Sequence, residues 1–537
     1  MSEQLDVYRL LPPEQFVSQP VRFVRNPVDL WRSAHCPDQP MAVGTPISGG
    51  EEAHFGGPAG PAYLERYGGM GIGRNGGGAR CALYRGLVVK GFGASALAGR
   101  GQDYWHSFGG MSLREAVREA IWGAMLNHLL PHGAVETEAV VLTGSEVPFH
   151  YPDSAGQTRG PRALSFRRPF VRLAHFLPAT LFLPDQAHAG KLLSDDARTR
   201  ASILALPLVL ARLFGQRVGG AELVLQLKML FSRYGVQTGA ARALRLVHGS
   251  ITASNIGIDG RVLDFGMTSA VSDFGRIRTV RGFPDAWNQS IDLRHAIPVL
   301  LRYCARHLDF GSRLDVGACA SELVATLHDA EAMAYESGLI DQVGIPREFL
   351  SSMAPQSLAE LGKTLREISE AGCEPFKVLS PCDAYRPQMP DAMGRYHLGR
   401  VLASYWVGVL CGDWGPFIVH LGSQALRERL RSALDSGWRM LLAHHPTLDA
   451  ATAARLALSE CVRRHDSLAQ LQHTKLNAEI DRLAPSREEV SRFVDCTLST
   501  ALRQLAPPSW QRREVSSSDR GLAGAKPPSQ KTQPCLC

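Results

Sequence analysis

His248-Gly249-Ser250-Ile251-Thr252-Ala253-Ser254-Asn255-Ile256-Gly257-Ile258-Asp259-Gly260-Arg261-Val262-Leu263-Asp264-Phe265-Gly266 decides how this chain is read. Asp-Gly between two apolar runs is the strongest short-range hairpin signal, because both central positions of a type I′ turn require positive φ. With Asp259-Gly260 as the two-residue loop, Ile256 faces Leu263 and Asn255 faces Asp264. Opposed residues on antiparallel strands have Cα atoms roughly 4.5–5.5 Å apart. An amide oxygen and a carboxylate oxygen at that spacing can share one hard cation. The competing reading is an ordinary surface hairpin with an Asn cap at one end.

Enzymes with a kinase-like site hold the Mg²⁺ of ATP in this way. A second Asp-Phe-Gly, Asp273-Phe274-Gly275, lies beyond the hairpin with no opposed Asn, so Asp264 ranks above it. Upstream, Gly71-Ile72-Gly73-Arg74-Asn75-Gly76 satisfies G-x-G-x-x-G, a pattern that decides little by itself. A dinucleotide-binding fingerprint opens a helix, whereas here more glycines and the strand-like runs Cys81–Tyr84 and Leu87–Lys90 follow, joined by Arg85-Gly86. That context suits a glycine-rich loop over phosphates with Lys90 on a later strand. Eight of the 58 basic residues are lysine, and Lys90 is the only one before Lys191, so its position asks for a compact ammonium.

Ser112-Leu-Arg-Glu115 has the form of a capping box, and Leu113, Ala116, Val117, Ala120, Ile121, Ala124, Met125 and Leu129 recur at helical spacing. A capping Glu115 is consumed by its own helix, which leaves Glu119 as the expected partner of Lys90. The bland alternative is a surface lysine and a solvated glutamate. Glycine loop, lysine, helix glutamate and Asn/Asp hairpin come in the order a kinase fold requires. Between His248 and Asn255 there is no Asp or Glu, so the carboxylate that ordinarily accepts a substrate hydroxyl's proton is missing and a plain protein kinase is disfavoured.

The rest of the chain sets limits. Its 537 residues, 45% hydrophobic and 20% charged, exclude a disordered or collagen-like protein. The longest apolar run, Ala201–Ala211, is closed by Arg200 and Arg212 and is too short to span a bilayer. The start lacks an export signal, so a cytoplasmic location is expected, with no membrane partner. Net charge is +7 without a basic run, which disfavours nucleic acid. The eleven cysteines show neither disulfide nor zinc spacing. Residues 1–55 read as an irregular N-terminal extension. Residues 56–165 read as a small β-rich lobe with one capped helix. Residues 166–505 read as a larger, mostly helical lobe that carries the hairpin 248–266, with strand-like text at Pro169–Ala174, and 506–537 as a flexible tail. The expected fold class is α+β, bilobal and protein-kinase-like.

Gly71-Ile-Gly-Arg74, Val88-Val-Lys-Gly-Phe-Gly93, Gly109-Gly-Met-Ser-Leu-Arg-Glu-Ala-Val-Arg-Glu119, Val171-Arg-Leu-Ala174, His248-Gly-x5-Asn255 and Leu263-Asp-Phe-Gly266 together resemble the selenoprotein-O family over roughly residues 65–280. That family has a kinase-like fold, binds ATP in a flipped orientation and transfers AMP to Ser, Thr or Tyr hydroxyls of proteins. The resemblance implies that Gly71, Gly73, Arg74 and Gly109 line the nucleotide site. Lys90 would hold phosphates, Glu119 would orient Lys90, Arg172 would bind phosphate, and Asn255 with Asp264 would hold Mg²⁺. ATP and Mg²⁺ are the implied cofactors and a protein or peptide the implied acceptor.

The chain departs from the family at several positions. The aspartate expected before the metal-binding Asn is Ser254, and a second arginine expected seven residues after Arg172 falls on Ala179, with Arg167 or Arg168 as substitutes. The Asp expected before Gly109 is Phe108. Glu514-Val-Ser-Ser-Ser518 resembles the family's ending with Ser517 in place of a redox Cys or selenocysteine, and only Cys535 or Cys537 could substitute. Two alternatives follow: an enzyme that adenylates or phosphorylates a peptide or small molecule, and a nucleotide-binding pseudokinase scaffold.

Overall fold

The structure is a computed structural model that describes residues 7–505 apart from 37–40, 151, 154, 191, 193–194, 216–219, 272–276, 279–283, 311–313, 372–376, 379–397 and 467–470. Asp273-Phe274-Gly275, the ending 514–518, Cys535 and Cys537 lie outside the described residues, as does the expected tail at 506–537.

The N-terminal part forms one sheet from β1 (Phe16–Val24), β2 (Val28–Arg32), β3 (Val43–Gly44), β4 (Phe55–Glu65), β5 (Cys81–Tyr84), β6 (Leu87–Lys90), β7 (Ala139–Pro148) and β8 (Arg159–Arg167). Its spatial order is β2-β7-β8-β6-β5-β4-β1-β3, with antiparallel neighbours. The segment 1–55, expected to be irregular, therefore supplies three strands. Their burial does not alternate, as in β1, so the period-2 signal is absent. Arg85 and Gly86 have φ of 47° and 84°, the left-handed pair that a tight hairpin between β5 and β6 requires.

Helix α1 (Leu113–Leu129) follows, capped by Ser112, whose Oγ accepts the Glu115 N–H at 3.3 Å. Its buried face carries the expected Leu113, Ala116, Val117, Ala120, Ile121 and Met125, and also Arg118, Glu119 and Trp122. Helical spacing finds the apolar stripe; the added charged residues are buried because they have partners. Leu64, Ala82, Val89, Val141, Leu164 and Phe166 form the core of the sheet. Lys90 ends β6, paired with Cys81 on one side and Ser165 on the other, so it stands in the middle of the sheet.

The remainder is predominantly helical: α2 (Asp195–Phe214), α3 (Gly220–Ala243), α4 (Ile291–His307), α5 (Val316–Ile340), α6 (Arg347–Leu350), α7 (Pro355–Ala371), α8 (Leu398–Cys411), α9 (Gly415–His420), α10 (Gln424–His444), α11 (Ala450–Asp466), α12 (His473–Ile480) and α13 (Arg487–Leu505). Two short strands, β9 (Leu246–Val247) and β10 (Ser269–Ala270), pair antiparallel and close the base of the segment 248–268. The stretch 169–174, expected as a strand, is not one: Arg172 makes an isolated bridge to Gly257, and a 3₁₀ turn, Leu173–Phe176, follows. The chain is thus mixed α+β, with an antiparallel sheet in its N-terminal part and a larger helical C-terminal part.

The chain divides into two compact units. One comprises Met1–Gly338, Glu374–Asp391 and Ala469–Val494; the other comprises Leu339–Cys373, Ala392–Leu468 and Asp495–Cys537. Every candidate residue from Gly71 to Asp264 lies in the first. No helix among the described residues is long and apolar enough to cross a membrane.

Candidate functional site

The 255–264 hairpin forms with a register one residue away from the expected one. Ile256 bridges Val262, the Gly257 N–H donates to Arg261 O at 2.8 Å, and the Leu263 N–H donates to Asn255 O at 3.1 Å. Asn255 therefore opposes Leu263, not Asp264. The turn holds three residues, Ile258-Asp259-Gly260, and only Gly260 is left-handed, at φ 95°. That is the three-residue loop ending in an αL glycine, not a type I′ turn. Asp259 spends its carboxylate on the Arg261 N–H (3.1 Å) and Nε–H (2.8 Å) instead of entering the left-handed region. A one-residue slip sends a side chain to the opposite face of a strand. Asp264 has φ 65°, a left-handed kink rare for a non-glycine, and with Asn255 it lines the same cavity.

Lys90 is the centre of a charge cluster. Its Nζ lies 2.6 Å from Glu119 Oε1, 2.8 Å from Asp264 Oδ1 and 3.7 Å from Glu115 Oε1. Arg80 Nη2 lies 2.7 Å from Glu115 Oε1 and 3.9 Å from Asp264 Oδ1. Glu119 is the lysine's partner, as expected. Glu115 differs from expectation: it receives the Ser112 cap through its backbone N–H, but its carboxylate turns to Arg80. Burial alone would lower the Lys90 pKa; the Asp264 and Glu119 carboxylates outweigh it and hold the ammonium above its ordinary value. Burial alone would raise Asp264, but Lys90 and Arg80 hold its carboxyl well below the usual range. Arg80 and then Lys90 do the same for Glu115 against its burial. Carboxylate oxygens of Glu115, Glu119 and Asp264 lie within 4.8 Å of one another, close enough to share a metal ion. The ammonium of Lys90 already bridges two of them.

A cavity of about 1100 Å³ opens beside this cluster, and its walls include Lys90, Glu115, Asp264, Asn255, Ser254 and Arg172. The glycine loop 66–80 joins β4 to β5 and does not open a helix, as its context implied. Gly71 and Gly73 line the cavity with φ of 97° and 59°. A Cβ on Gly71 would stand 2.5 Å from Thr252 Oγ1, so glycine allows this loop to close against the segment after His248. Asn75 Nδ2–H donates to His106 O at 2.9 Å, and the Arg74 N–H donates to Gln102 Oε1 at 2.6 Å, tying the loop to the following segment. Gly73, Gln102, Trp105 and Phe108 also line the cavity.

Not every expected residue arrives. Arg74 is exposed and outside the cavity wall. Gly109 is buried, with φ 86°, against the backbone of Gly93 and Ala94, where a side chain would not fit; its role is packing. Arg172 is buried and lines the cavity, stacked 4.9 Å from the Tyr67 ring and 4.7 Å from the Phe170 ring, and Nη1 donates to Ser254 O. Ala179 is buried, its N–H donating to Asp195 Oδ2 at 2.6 Å, and brings no basic group to the cavity. Of the two substitutes, Arg167 lines the cavity, 3.9 Å from Glu119 Oε2, whereas Arg168 pairs with Glu138 at 2.8 Å outside it. His248 is structural: Nε2–H donates to Leu263 O at 2.9 Å and Nδ1 accepts the Ser250 N–H at 3.3 Å, while burial holds the ring's pKa below its ordinary value. The Ser254 hydroxyl pairs with Thr252 Oγ1 at 2.8 Å.

Sequence reading missed Arg80, Arg114, Arg118 and Asn477 on the cavity wall. Fifty arginines make any one of them anonymous in the sequence, and Asn477 stands 213 residues beyond Asp264 with no motif around it. Buried N–H groups on Arg114, Arg167, Arg172 and Asn477 find no partner among the described residues, so donors stand unspent just behind this wall. The chain matches no protein-family model and none of the curated proteins.

Proposed function

We propose that the chain is an ATP- and Mg²⁺-dependent nucleotidyltransferase of selenoprotein-O type, with a protein-kinase-like bilobal fold, that transfers AMP to a hydroxyl side chain of a protein or peptide. One observation carries this reading: Lys90, buried between Glu119 and Asp264, lines the same cavity as the glycine loop and Asn255, while the 248–255 segment holds no carboxylate.

The donor set suits a hard divalent ion. Asn255 spends Nδ2–H on Ser250 O at 2.9 Å, and Oδ1, which accepts the Ser254 hydroxyl at 3.4 Å with one lone pair, keeps the other as its ligating site. Asp264 gives Oδ1 to Lys90, and Oδ2 carries no bond among the described residues. Bound there, Mg²⁺ would neutralise phosphate charge. An ammonium has three donors, and Glu119 and Asp264 take two, so Lys90 keeps one for a phosphate oxygen. Arg167 and Arg172 supply further donors. The acceptor oxygen bonds to the α-phosphorus, the bond from that phosphorus to the bridging oxygen breaks, and pyrophosphate leaves. The hydroxyl proton passes to water or to the departing phosphate. With Ser254 in the loop there is no general base from that segment, so positioning and charge neutralisation provide the acceleration. The cytoplasm is the proposed compartment.

A nucleotide-bound structure tests the reading. The α-phosphate nearest Asn255 and Asp264 supports it; the γ-phosphate in that place would make the protein a phosphotransferase. The scaffold reading is favoured by the Thr252–Ser254 hydroxyl pair in place of a base, and ATP binding without turnover would establish it.

A further inference from the structure

The cradle around Lys90 has two sides that belong to different parts of the chain, and a third element ties them together. Glu115 and Glu119 stand on α1. Arg114 and Arg118 precede them by one residue each, about 100° around the helix. Arg118 reaches α12, and Arg114 reaches Asp481, the residue that caps its C-terminal end. Arg114 Nε–H donates to Asp481 Oδ1 at 2.6 Å, with side chains 11% and 7% exposed. Buried Arg118 spans three partners: Nη1 donates to Asn477 Oδ1 at 3.4 Å, and Nη2 to Phe265 O at 2.9 Å and to Gly266 O. The start of α12 is pinned in turn, because the His473 N–H donates to Ser269 Oγ at 3.0 Å in β10. Helix α1, the residues directly after Asp264, and α12 thus form a closed ring of hydrogen bonds, and the Phe265 N–H adds a strut to Glu119 Oε1 at 3.2 Å.

We propose that Arg114, Arg118, Asn477 and Asp481 form a clamp that sets the spacing between Glu119 and Asp264 across which Lys90 is held. These are positioning residues: they act on the lysine through α1 and through the backbone of Phe265 and Gly266. Arg118 is the coupler, since it stands on α1 and donates to Phe265 O and Gly266 O on the other side of the cradle. Losing Asp481 leaves a buried guanidinium without its counter-charge, and α1 moves to regain solvent for it. The effect on turnover rests on the nucleotidyltransferase reading; the effect on Lys90 itself does not.

The test uses the full-length chain without nucleotide, a lysine-directed acylating reagent, and mass spectrometry of the Lys90 peptide. In the wild type Lys90 is 1% exposed, so slow acylation is expected. Asp481→Ala and Asn477→Ala are each expected to speed acylation of Lys90 about tenfold, with Lys228 and Lys363 unchanged. The charge-swapped pair Arg114→Asp with Asp481→Arg restores slow labelling. A second readout uses ATP: kcat falls about tenfold in the single variants while KM for ATP holds within about threefold, the signature of lost positioning instead of lost binding. Unchanged Lys90 rates in both single variants, or a rise shared equally by all lysines, would overturn the clamp. No label transfer from ATP by the wild type would sink the transferase reading and leave the clamp standing.

Discussion

Lys90 Nζ lies 2.6 Å from Glu119 Oε1, with the two side chains 1% and 3% exposed, so the end of β6 is tied to the second turn of α1 by a buried ion pair. Such a pair costs much desolvation and is retained where its geometry matters more than its net stability. Lys90→Ala strips the counter-charge from a buried glutamate. It is expected to cost about 3 kcal/mol in unfolding free energy and to reduce turnover at least about a hundredfold. The double variant Lys90→Met with Glu119→Gln removes both charges; thermal melts should show stability returning while turnover stays lost. Recovery of activity in the double variant would contradict the role given to the lysine.

Asp264 and Asn255 separate metal binding from folding. Asp264→Asn should weaken Mg²⁺-dependent nucleotide binding by about tenfold or more, measured by calorimetry, and leave metal-free nucleotide binding nearly unchanged. Asn255→Ala should act the same way with a second effect, because it also frees Ser250 O. Equal losses with and without Mg²⁺ would remove these two residues as metal ligands.

The pH dependence of stability follows from the signs of the shifts. Asp264 and Glu115 are held below their ordinary values by Lys90 and Arg80 against their burial, so their contribution is complete above about pH 4 and is lost as pH falls through the depressed folded-state values. Lys90 is held above its ordinary value against burial, so its contribution is complete below about pH 10 and is lost as pH rises through the raised value. Stability due to this cluster is flat between those limits. Arg80→Met removes a cation beside both carboxylates and should move the acid limb of a denaturation series toward higher pH. Superimposable acid limbs for variant and wild type would contradict the electrostatic assignment.

Gly71 tests the loop. At φ 97° and facing Thr252, an alanine there is strained in backbone and contact alike. Gly71→Ala should raise KM for nucleotide about tenfold with a change in melting temperature of only a few degrees, because the residue is exposed. Adding Thr252→Ala relieves the contact but not the left-handed φ, so recovery should be partial. Unaltered KM in the single variant would place the ligand away from this loop.

The parts legible in the sequence were those governed by local rules. Arg85-Gly86 reads as a turn because two successive positions need positive φ, and Lys90 pairs with Glu119 on the capped helix, although the cap does not occupy the Glu115 carboxylate. The 255–264 pairing failed by one residue because Asp-Gly admits both a two-residue and a three-residue loop, and the local Asp259–Arg261 contact that accompanies the longer one is not marked by the dipeptide. The Glu115 carboxylate leaves its own helix for Arg80, a contact 35 residues apart with no local sequence signal. The strands of 1–55 were hidden because Pro20 and Pro61 sit opposite each other within the β1–β4 pair, where proline normally argues against a strand. The partnership of Arg114 with Asp481 spans 367 residues, a distance at which periodicity and motif spacing carry no information.

One measurement separates AMP transfer from every other reading of this cavity: incubation of the full-length protein with Mg²⁺, a protein acceptor, and ATP labelled either at the α- or at the γ-phosphate. Label from the α-position, lost in Asp264→Ala, should remain on the acceptor while γ-label leaves as pyrophosphate. Retention of γ-label alone would show that the chain transfers phosphate, and the assignment of AMP transfer would be wrong.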